Sequence, residues 1–208
     1  MEANGAGHNG SGIAPTSDDR RAEPAPDRVR DLAEACVRFV ERAVGVKLDY
    51  EPETLSILDH YLGGARPAAG ERPAAGVLVA HAAGAYFGEV VRRRYPSWWR
   101  LDGDDPGAWR IELEPVYLSF SPVQLMADAL FREGDPDASE RLELEEEDRG
   151  AVAGRLAELP PVGEDEFYAP STRLEVIDIA VEAIRARRLA ENEGDSALGP
   201  DDYEPSPS

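Results

Sequence analysis

A short stretch in the middle of the chain brings together residue types that acid–base chemistry uses. His81, Tyr86 and Glu89 stand close together in a run of otherwise small and apolar residues. Burial pushes an unpaired glutamate toward its neutral form, which is the form that a general acid needs. One interpretation is therefore a small enzyme in which Glu89 acts with Tyr86 or His81 in a cleft.

The same residues also have a purely structural interpretation. A glutamate inside an apolar helix commonly accepts hydrogen bonds from backbone amides or an arginine, and so holds the helix against a sheet. Metal binding by His81 would want a further ligand three or four residues on, where Gly84 and Ala85 stand instead. Gly84 and Gly88 are four residues apart, which predicts the close approach of a neighbouring element along one side of this helix.

The common catalytic and cofactor motifs do not occur in the sequence. It has no glycine-rich phosphate loop ending in Lys-Ser or Lys-Thr, no G-x-S-x-G and no H-E-x-x-H. The single cysteine, Cys36, offers neither a disulfide partner nor a metal-ligand spacing, which fits a reducing compartment. The sequence therefore predicts no cofactor and no metal, and favours a non-enzymatic protein over the enzyme interpretation.

Two runs of residues resemble a family of small uncharacterised bacterial α+β domains. The run G-A-Y-F-G-E-V-V at positions 84–91, followed by Trp98-Trp99, resembles the family's G-x-[YF]-[LF]-G-E-[VI]-[VI] helix and the tryptophan-bearing strand after it. The run L-D-Y-E-P-E-T-L that begins at Leu48 resembles the family's L-D-Y-[ST]-x-[ED]-S-[LV] segment. The resemblance covers residues 46–120 and implies a fold and a cytoplasmic compartment. Because the family has no established activity, it implies no catalytic residue.

The elements that position these residues follow from periodicity and turn chemistry. Apolar residues at helical spacing predict helices over 27–45, 52–62, 74–94, 122–131, 145–158 and 172–189. Runs typical of strands cover 97–101, 108–113 and 116–120, are separated by turn residues, and predict an antiparallel meander. Leu142 and Leu144 alternate with charge and offer an additional edge strand. The predicted fold is a single helix-rich α+β domain with the meander packed on a central buried helix, 74–94.

Several boundaries rest on single local signals. Gly63 and Gly64 are predicted to stop the second helix and to open a loop that reaches residue 73. Thr172 and Glu175 form a capping-box pair that predicts the start of the last helix. Leu159 is predicted to face inward from the helix over 145–158.

The central helix is apolar enough to raise the alternative of a membrane span. Its apolar run is barely long enough, contains His81 and Glu89, and has no second hydrophobic segment to accompany it, so a buried core helix is predicted. The N-terminus lacks the apolar stretch of a secretory signal. Arginine almost completely replaces lysine, which is typical of a bacterial coding sequence rich in G and C. We therefore expect a bacterial, cytoplasmic protein.

Composition also predicts the limits of the folded domain. Residues 1–26 and 191–208 are poor in large apolar side chains and are predicted to be disordered tails. The domain between them, 27–190, divides into a core over 27–132 and an acidic helical extension over 133–190. The net charge is −20, and the 22 acidic and 7 basic residues after position 132 contribute −15 of it.

This charge restricts the partners of the protein. Phosphate backbones and anionic membranes bind to Lys and Arg, so neither nucleic acid nor a membrane is expected as a partner. The favoured hypothesis is an adaptor, immunity or regulatory module. It would bind a protein partner that carries basic groups, and it would do so through an acidic surface. The candidate partner-binding residues are Trp98, Trp99, Glu143, Glu145, Glu146 and Glu147. The two tryptophans are adjacent on a predicted strand, so they point to opposite faces of the sheet.

Overall fold

Most helices lie close to where the local sequence signals place them. The computed structural model describes residues 24–132, 139, 141–194 and 197–204. In these residues seven α-helices occur: α1 (Asp27–Val44), α2 (Leu55–Glu71), α3 (Pro73–Arg94), α4 (Pro122–Phe131), α5 (Glu146–Ala157), α6 (Glu164–Phe167) and α7 (Pro170–Ala190). Together with one antiparallel sheet they form a single α+β domain, which confirms the predicted fold class.

Four strands form the sheet in sequential order. They are β1 (Ser97–Arg100), β2 (Arg110–Leu113), β3 (Leu118–Phe120) and β4 (Glu143–Leu144), and each pairs antiparallel with the next. In the register, Trp99 lies opposite Ile111 and Ile111 opposite Phe120, so their side chains share one face. All three are buried. The meander and the edge strand at Leu144 are therefore confirmed.

Helix α3 lies at the centre of the domain and packs against α1, α2 and α4. Its side chains are almost all buried between Ala80 and Arg92, which confirms the central buried helix. Among the described helices it is the one that is long and apolar enough to cross a membrane by length and composition, and 61% of its apolar window is buried inside the domain. A core helix of this kind passes the same test.

The two glycines in the middle of α3 permit its closest contacts. A Cβ atom built on Gly84 would lie 2.5 Å from the Cα of Val123, in the first turn of α4. A Cβ atom built on Gly88 would overlap the indole ring of Trp99 on β1. The predicted close approach along this side of the helix is therefore confirmed, and it involves both a helix and the sheet.

The predicted end of the second helix is wrong. Helix α2 continues through Gly63 and Gly64 as far as Glu71, although a Cβ atom would meet open space at both glycines. Contacts beyond the glycines outweigh their weak helix propensity. Arg66 donates from Nε to the carbonyl of Ala129 at 3.0 Å, and Ala69 is buried against Gly76 of α3.

The predicted start of the last helix is also wrong. Helix α7 begins at Pro170, two positions before the expected capping box, with no side-chain cap from its own N-cap residue. The cap comes instead from α2, where the Asp59 carboxylate accepts hydrogen bonds from the backbone N–H of Ser171 at 3.1 Å and from its hydroxyl at 2.6 Å. Leu159, expected to face inward, is 47% exposed.

The C-terminal segment differs most from its prediction. Residues 1–23, 133–138, 140, 195–196 and 205–208 lie outside the described residues, and with them most of the predicted N-terminal tail. Residues 197–204, however, fold over the sheet and end in a 3₁₀ turn at Pro200–Tyr203, so the predicted C-terminal tail is wrong there. The Tyr203 hydroxyl accepts from the Leu118 N–H at 2.9 Å and lies 2.7 Å from the carbonyl oxygen of Leu113, to which it donates.

Tyr203 is held by its ring as well as by its hydroxyl. The ring is buried, stacks on Tyr117 at 4.4 Å and meets Trp98 edge to face. It therefore covers the face of the sheet that points away from α3. The segment docks through the single ring of Tyr203 and not through a run of apolar residues, so composition alone did not indicate this contact.

Replacing Gly84 should separate packing from helix propensity. We expect Gly84→Ala to lower the free energy of unfolding by about 1–3 kcal/mol, because the new methyl group meets backbone atoms of α4. Gly154→Ala on α5, where a Cβ atom meets open space, should instead be neutral or stabilise by up to about 1 kcal/mol. Urea denaturation measures both. Equal stabilisation by the two substitutions would contradict the close approach at Gly84.

Removing the Tyr203 hydroxyl tests whether the C-terminal segment contributes to the fold. Tyr203→Phe keeps the ring but leaves the buried N–H of Leu118 without its acceptor, so we expect a loss of about 1–3 kcal/mol in unfolding free energy. The matched control is Tyr117→Phe in the same aromatic stack, which should change stability by less than about 0.5 kcal/mol. If both variants unfold at the wild-type denaturant concentration, the segment does not stabilise the domain.

Candidate functional site

Glu89 connects the central helix to the sheet. Its side chain is 17% exposed, and its Oε1 atom accepts a hydrogen bond from Nε1 of Trp99 at 2.7 Å. Arg92, one turn further along α3, donates to the same oxygen at 3.1 Å. The carboxylate thus has both an indole and a guanidinium partner. Such an environment compensates a buried charge rather than leaving it unpaired.

Tyr86 holds the segment that leads into α2. Its ring is fully buried, and its hydroxyl accepts the backbone N–H of Tyr50 at 2.9 Å and lies 3.0 Å from the hydroxyl of Thr54. Tyr50 stacks on it with the ring centroids 4.8 Å apart and has a left-handed backbone with φ of 69°. Burial raises the pKa of Tyr86. A neutral phenol that caps a strained turn explains this residue without catalysis.

His81 faces a different part of the domain. It is half-buried and lines a cavity of about 350 Å³ together with Gln124 and the Asp128–Arg141 ion pair. Burial lowers the pKa of His81, which favours the neutral imidazole. The Arg141 guanidinium donates hydrogen bonds to the Asp128 carboxylate at 2.8 Å and to the side-chain carbonyl oxygen of Gln124 at 3.2 Å.

The three candidate catalytic residues therefore make contacts with three different parts of the fold. Tyr86 bonds to the segment before α2, and Glu89 bonds to β1. The cavity that His81 lines includes neither of them. General acid–base catalysis needs its groups around one reacting atom. This arrangement does not assemble them.

The two tryptophans proposed for partner binding occupy opposite faces of the sheet, as their adjacency predicts. Trp99 is 9% exposed and packs on Gly88. Trp98 is half-buried, and its Nε1 donates to Oε2 of Glu112 at 2.5 Å beneath the ring of Tyr203. Both indole N–H groups are thus satisfied within the domain.

The four candidate acidic residues each have a basic partner within the chain. A pair that is exposed on both sides, such as Glu146–Arg149, contributes about 0–1 kcal/mol. Glu146 is 96% exposed, while Glu145 and Glu147 lie against the end of α7. The pairs are Glu143–Arg110 at 3.0 Å, Glu145–Arg188 at 3.2 Å, Glu146–Arg149 at 3.2 Å and Glu147–Arg187 at 3.1 Å.

Two buried carboxylates have structural roles that the sequence did not indicate. Glu112 is fully buried and accepts from Nε of Arg100 as well as from Trp98. Asp148 is also fully buried and accepts from Nε of Arg187 at 2.6 Å, which joins α5 to α7. The sequence did not indicate that residues 197–204 cover the face of the sheet on which Glu112 lies.

The described residues contain no group of three or more His, Cys, Asp and Glu side chains that could hold a metal ion. Cys36 is buried on α1, and burial raises its pKa to about 12. Its thiol is therefore protonated and a weak nucleophile at neutral pH.

No protein-family model, curated protein or solved structure matches the chain at a significant level. The resemblance of residues 46–120 to small bacterial α+β domains stays a prediction.

Substitutions of Glu89 should distinguish its structural role from a catalytic one. Glu89→Gln keeps an oxygen acceptor for Trp99, so we expect a loss of less than about 1 kcal/mol in unfolding free energy. Glu89→Leu leaves the indole N–H and the Arg92 guanidinium without this acceptor and should lose about 1–3 kcal/mol. Chemical denaturation measures both. A Glu89→Gln protein that keeps its stability but fails to complement a deletion in its own host would favour the enzyme interpretation.

Proposed function

We propose that this protein is a non-enzymatic interaction module, of the adaptor, immunity or regulatory kind, which binds a basic protein partner in the cytoplasm through an acidic surface. The observation that carries the proposal is the environment of Glu89. The carboxylate accepts hydrogen bonds from Trp99 and Arg92. Helix α3, which carries Glu89, contacts its neighbours closely at Gly84 and Gly88. The residue best suited to acid–base chemistry is thus committed to holding the domain together.

The distribution of charge supports a basic partner. Residues 141–194 carry 14 acidic and 7 basic side chains, and many of the acids are exposed on α5, α6 and α7. Such a surface produces a negative potential that attracts cationic groups and repels phosphate backbones and anionic lipids. The internal ion pairs reduce this potential locally without cancelling it.

The partner itself has to be identified first. Affinity purification of the tagged full-length protein from its own host, followed by reconstitution with the purified partner, tests whether a protein partner exists. If no protein copurifies and reconstitutes, the proposal is wrong.

The acidic surface should then control the rate of association. Replacing Glu143, Glu145, Glu146 and Glu147 by Gln should lower the association rate at low salt by about tenfold and change the dissociation rate much less. Wild-type association should slow in the same way as ionic strength rises, because the Debye length falls to about 8 Å at physiological salt. Stopped-flow fluorescence measures both rates.

A second set of four substitutions controls for net charge. Asp31, Glu41, Glu53 and Glu71 are exposed on the helical core, and replacing them by Asn or Gln changes the net charge by the same amount. We expect this set to change the association rate by less than about twofold. An equal effect of the two sets would show that total charge, and not the surface after residue 140, attracts the partner.

A further inference from the structure

A wide apolar groove lies between the end of α5 and the outer side of α7. Its volume is about 700 Å³, and most of the surface it presents is apolar. Helix α6 and the segment between α5 and α6 close its sides. Its apolar lining includes Leu159, Val162, Phe167 and Tyr168.

The groove leaves large apolar side chains in contact with solvent. Leu159 and Val162 are 47% and 42% exposed, and they are two of the few large apolar residues at the described surface. Exposed apolar residues that gather around one concave surface are typical of a binding site. The prediction that Leu159 faces the core is wrong, so packing in the core does not explain why this residue is apolar.

The aromatic wall of the groove is fixed from behind. Phe167 and Tyr168 meet edge to face with their centroids 5.0 Å apart. The guanidinium of Arg173 lies 4.3 Å from the Phe167 ring centroid and 5.4 Å from that of Tyr168. The Arg173 residue is only 3% exposed, so this cation–π contact is largely desolvated. The wall is thus preorganised, which reduces the entropy lost on binding.

The charged side chains that line the groove are acidic. Of the residues that the structure describes, three exposed carboxylates line it, those of Glu164, Glu166 and Glu175, and no Lys or Arg does. Glu166 and Glu175 make no ion pair with another described residue, while Glu164 has only a long contact of 3.8 Å with Arg132. The rim therefore lacks the internal compensation that the acids of β4 and α5 have.

We propose that this groove is the docking site for a basic amphipathic helix of a protein partner. Apolar side chains at positions i, i+3 or i+4, and i+7 of the helix would lie against Leu159, Val162 and Phe167. Arg or Lys residues beside them would pair with Glu166 and Glu175. This inference rests on the proposed function and names the surface and the chemistry of its partner.

Other occupants fit less well. A second copy of the chain would bring another net charge of −20 against an acidic rim. Residues 1–23 contain Met1 and Ile13 as their only large apolar side chains and have more acidic than basic residues. An anionic membrane or a nucleic acid would meet the same negative rim.

The direct test uses a synthetic probe. It is a fluorescein-labelled peptide of about 14 residues, four helical turns, with Leu on one face and Arg on both flanks. Fluorescence anisotropy with the full-length protein should give saturable binding that weakens at least about tenfold between about 0.05 M and 0.5 M salt. A second peptide with Glu in place of every Arg keeps the apolar face and should not bind.

Groove variants locate the binding. Leu159→Ser with Val162→Ser should weaken peptide binding by about tenfold or more, since both anchors lose their apolar contacts. Glu166→Lys with Glu175→Lys should weaken it to a similar degree and remove most of the salt dependence. The matched controls are Leu189→Ser, on a residue that is 79% exposed outside the groove, and Glu41→Lys on α1. Both controls should stay within about twofold of the wild type.

The remaining outcomes would overturn the inference. Two of them concern the peptide: binding that the groove variants leave unchanged, or equal binding of the Glu peptide. The third is a dimer in sedimentation that Leu159→Ser with Val162→Ser abolishes. The fourth is a change in the NMR methyl signals of Leu159 and Val162 when Ile13→Ser is introduced. The last two would assign the groove to a second copy or to the N-terminal segment.

Failure here can be told apart from failure of the proposed function. If the reconstituted natural partner binds the groove variants as tightly as the wild type, the groove is wrong and the interaction module stands. If no partner exists, the module is wrong even though the peptide binds.

Discussion

The close packing of α3 is the constraint on which the rest of the structure depends. The side chains from Ala80 to Gly88 are small apart from His81, Tyr86 and Phe87, so α4 approaches α3 at nearly backbone distance and the Trp99 indole of β1 lies directly against α3. Two glycines inside a helix disfavour it by about 1 kcal/mol each relative to alanine. The packing that they permit compensates for this loss, because Val123 and Trp99 occupy the volume that side chains would have taken. Gly84 thus permits the close approach of α4, and Gly88 leaves room for the Trp99 ring of β1.

Once these elements are packed so closely, their polar groups need partners, and long-range side chains supply them. Tyr86 accepts a backbone N–H before α2, Asp59 accepts one at the start of α7, and Tyr203 accepts one on β3. A buried donor without an acceptor costs about 1–3 kcal/mol, so each of these contacts joins two segments of the chain. Glu89 belongs to the same group. Residue types that suggested chemistry in the sequence act here as hydrogen-bonding anchors between segments.

Periodicity predicted most of the fold, since apolar spacing reports directly on burial. The central helix, the meander and the close approach at Gly84 and Gly88 followed from local patterns. The errors share one cause. The continuation of α2 through Gly63, the start of α7 at Pro170 and the docking of Tyr203 all depend on partners distant in sequence, which override local signals. For the candidate site, the sequence indicated the residues but not their separation, because neighbours along a helix can bond to different elements.

The acidic residues of the C-terminal part fall into two groups that differ in their surroundings. On β4 and α5 they pair with arginines, and Arg187 alone contacts Glu147, Asp148, Glu191 and Glu193. The contacts of Arg187 with Glu147 and Asp148 hold α5 against α7. Along the groove, Glu166 and Glu175 have no such partner among the described residues, and they stand beside exposed apolar side chains. Uncompensated charge and exposed apolar area each disfavour a folded protein in isolation. Their coincidence on one concave surface supports the proposal of an external partner, because solubility would be served equally well by an acidic surface without the groove.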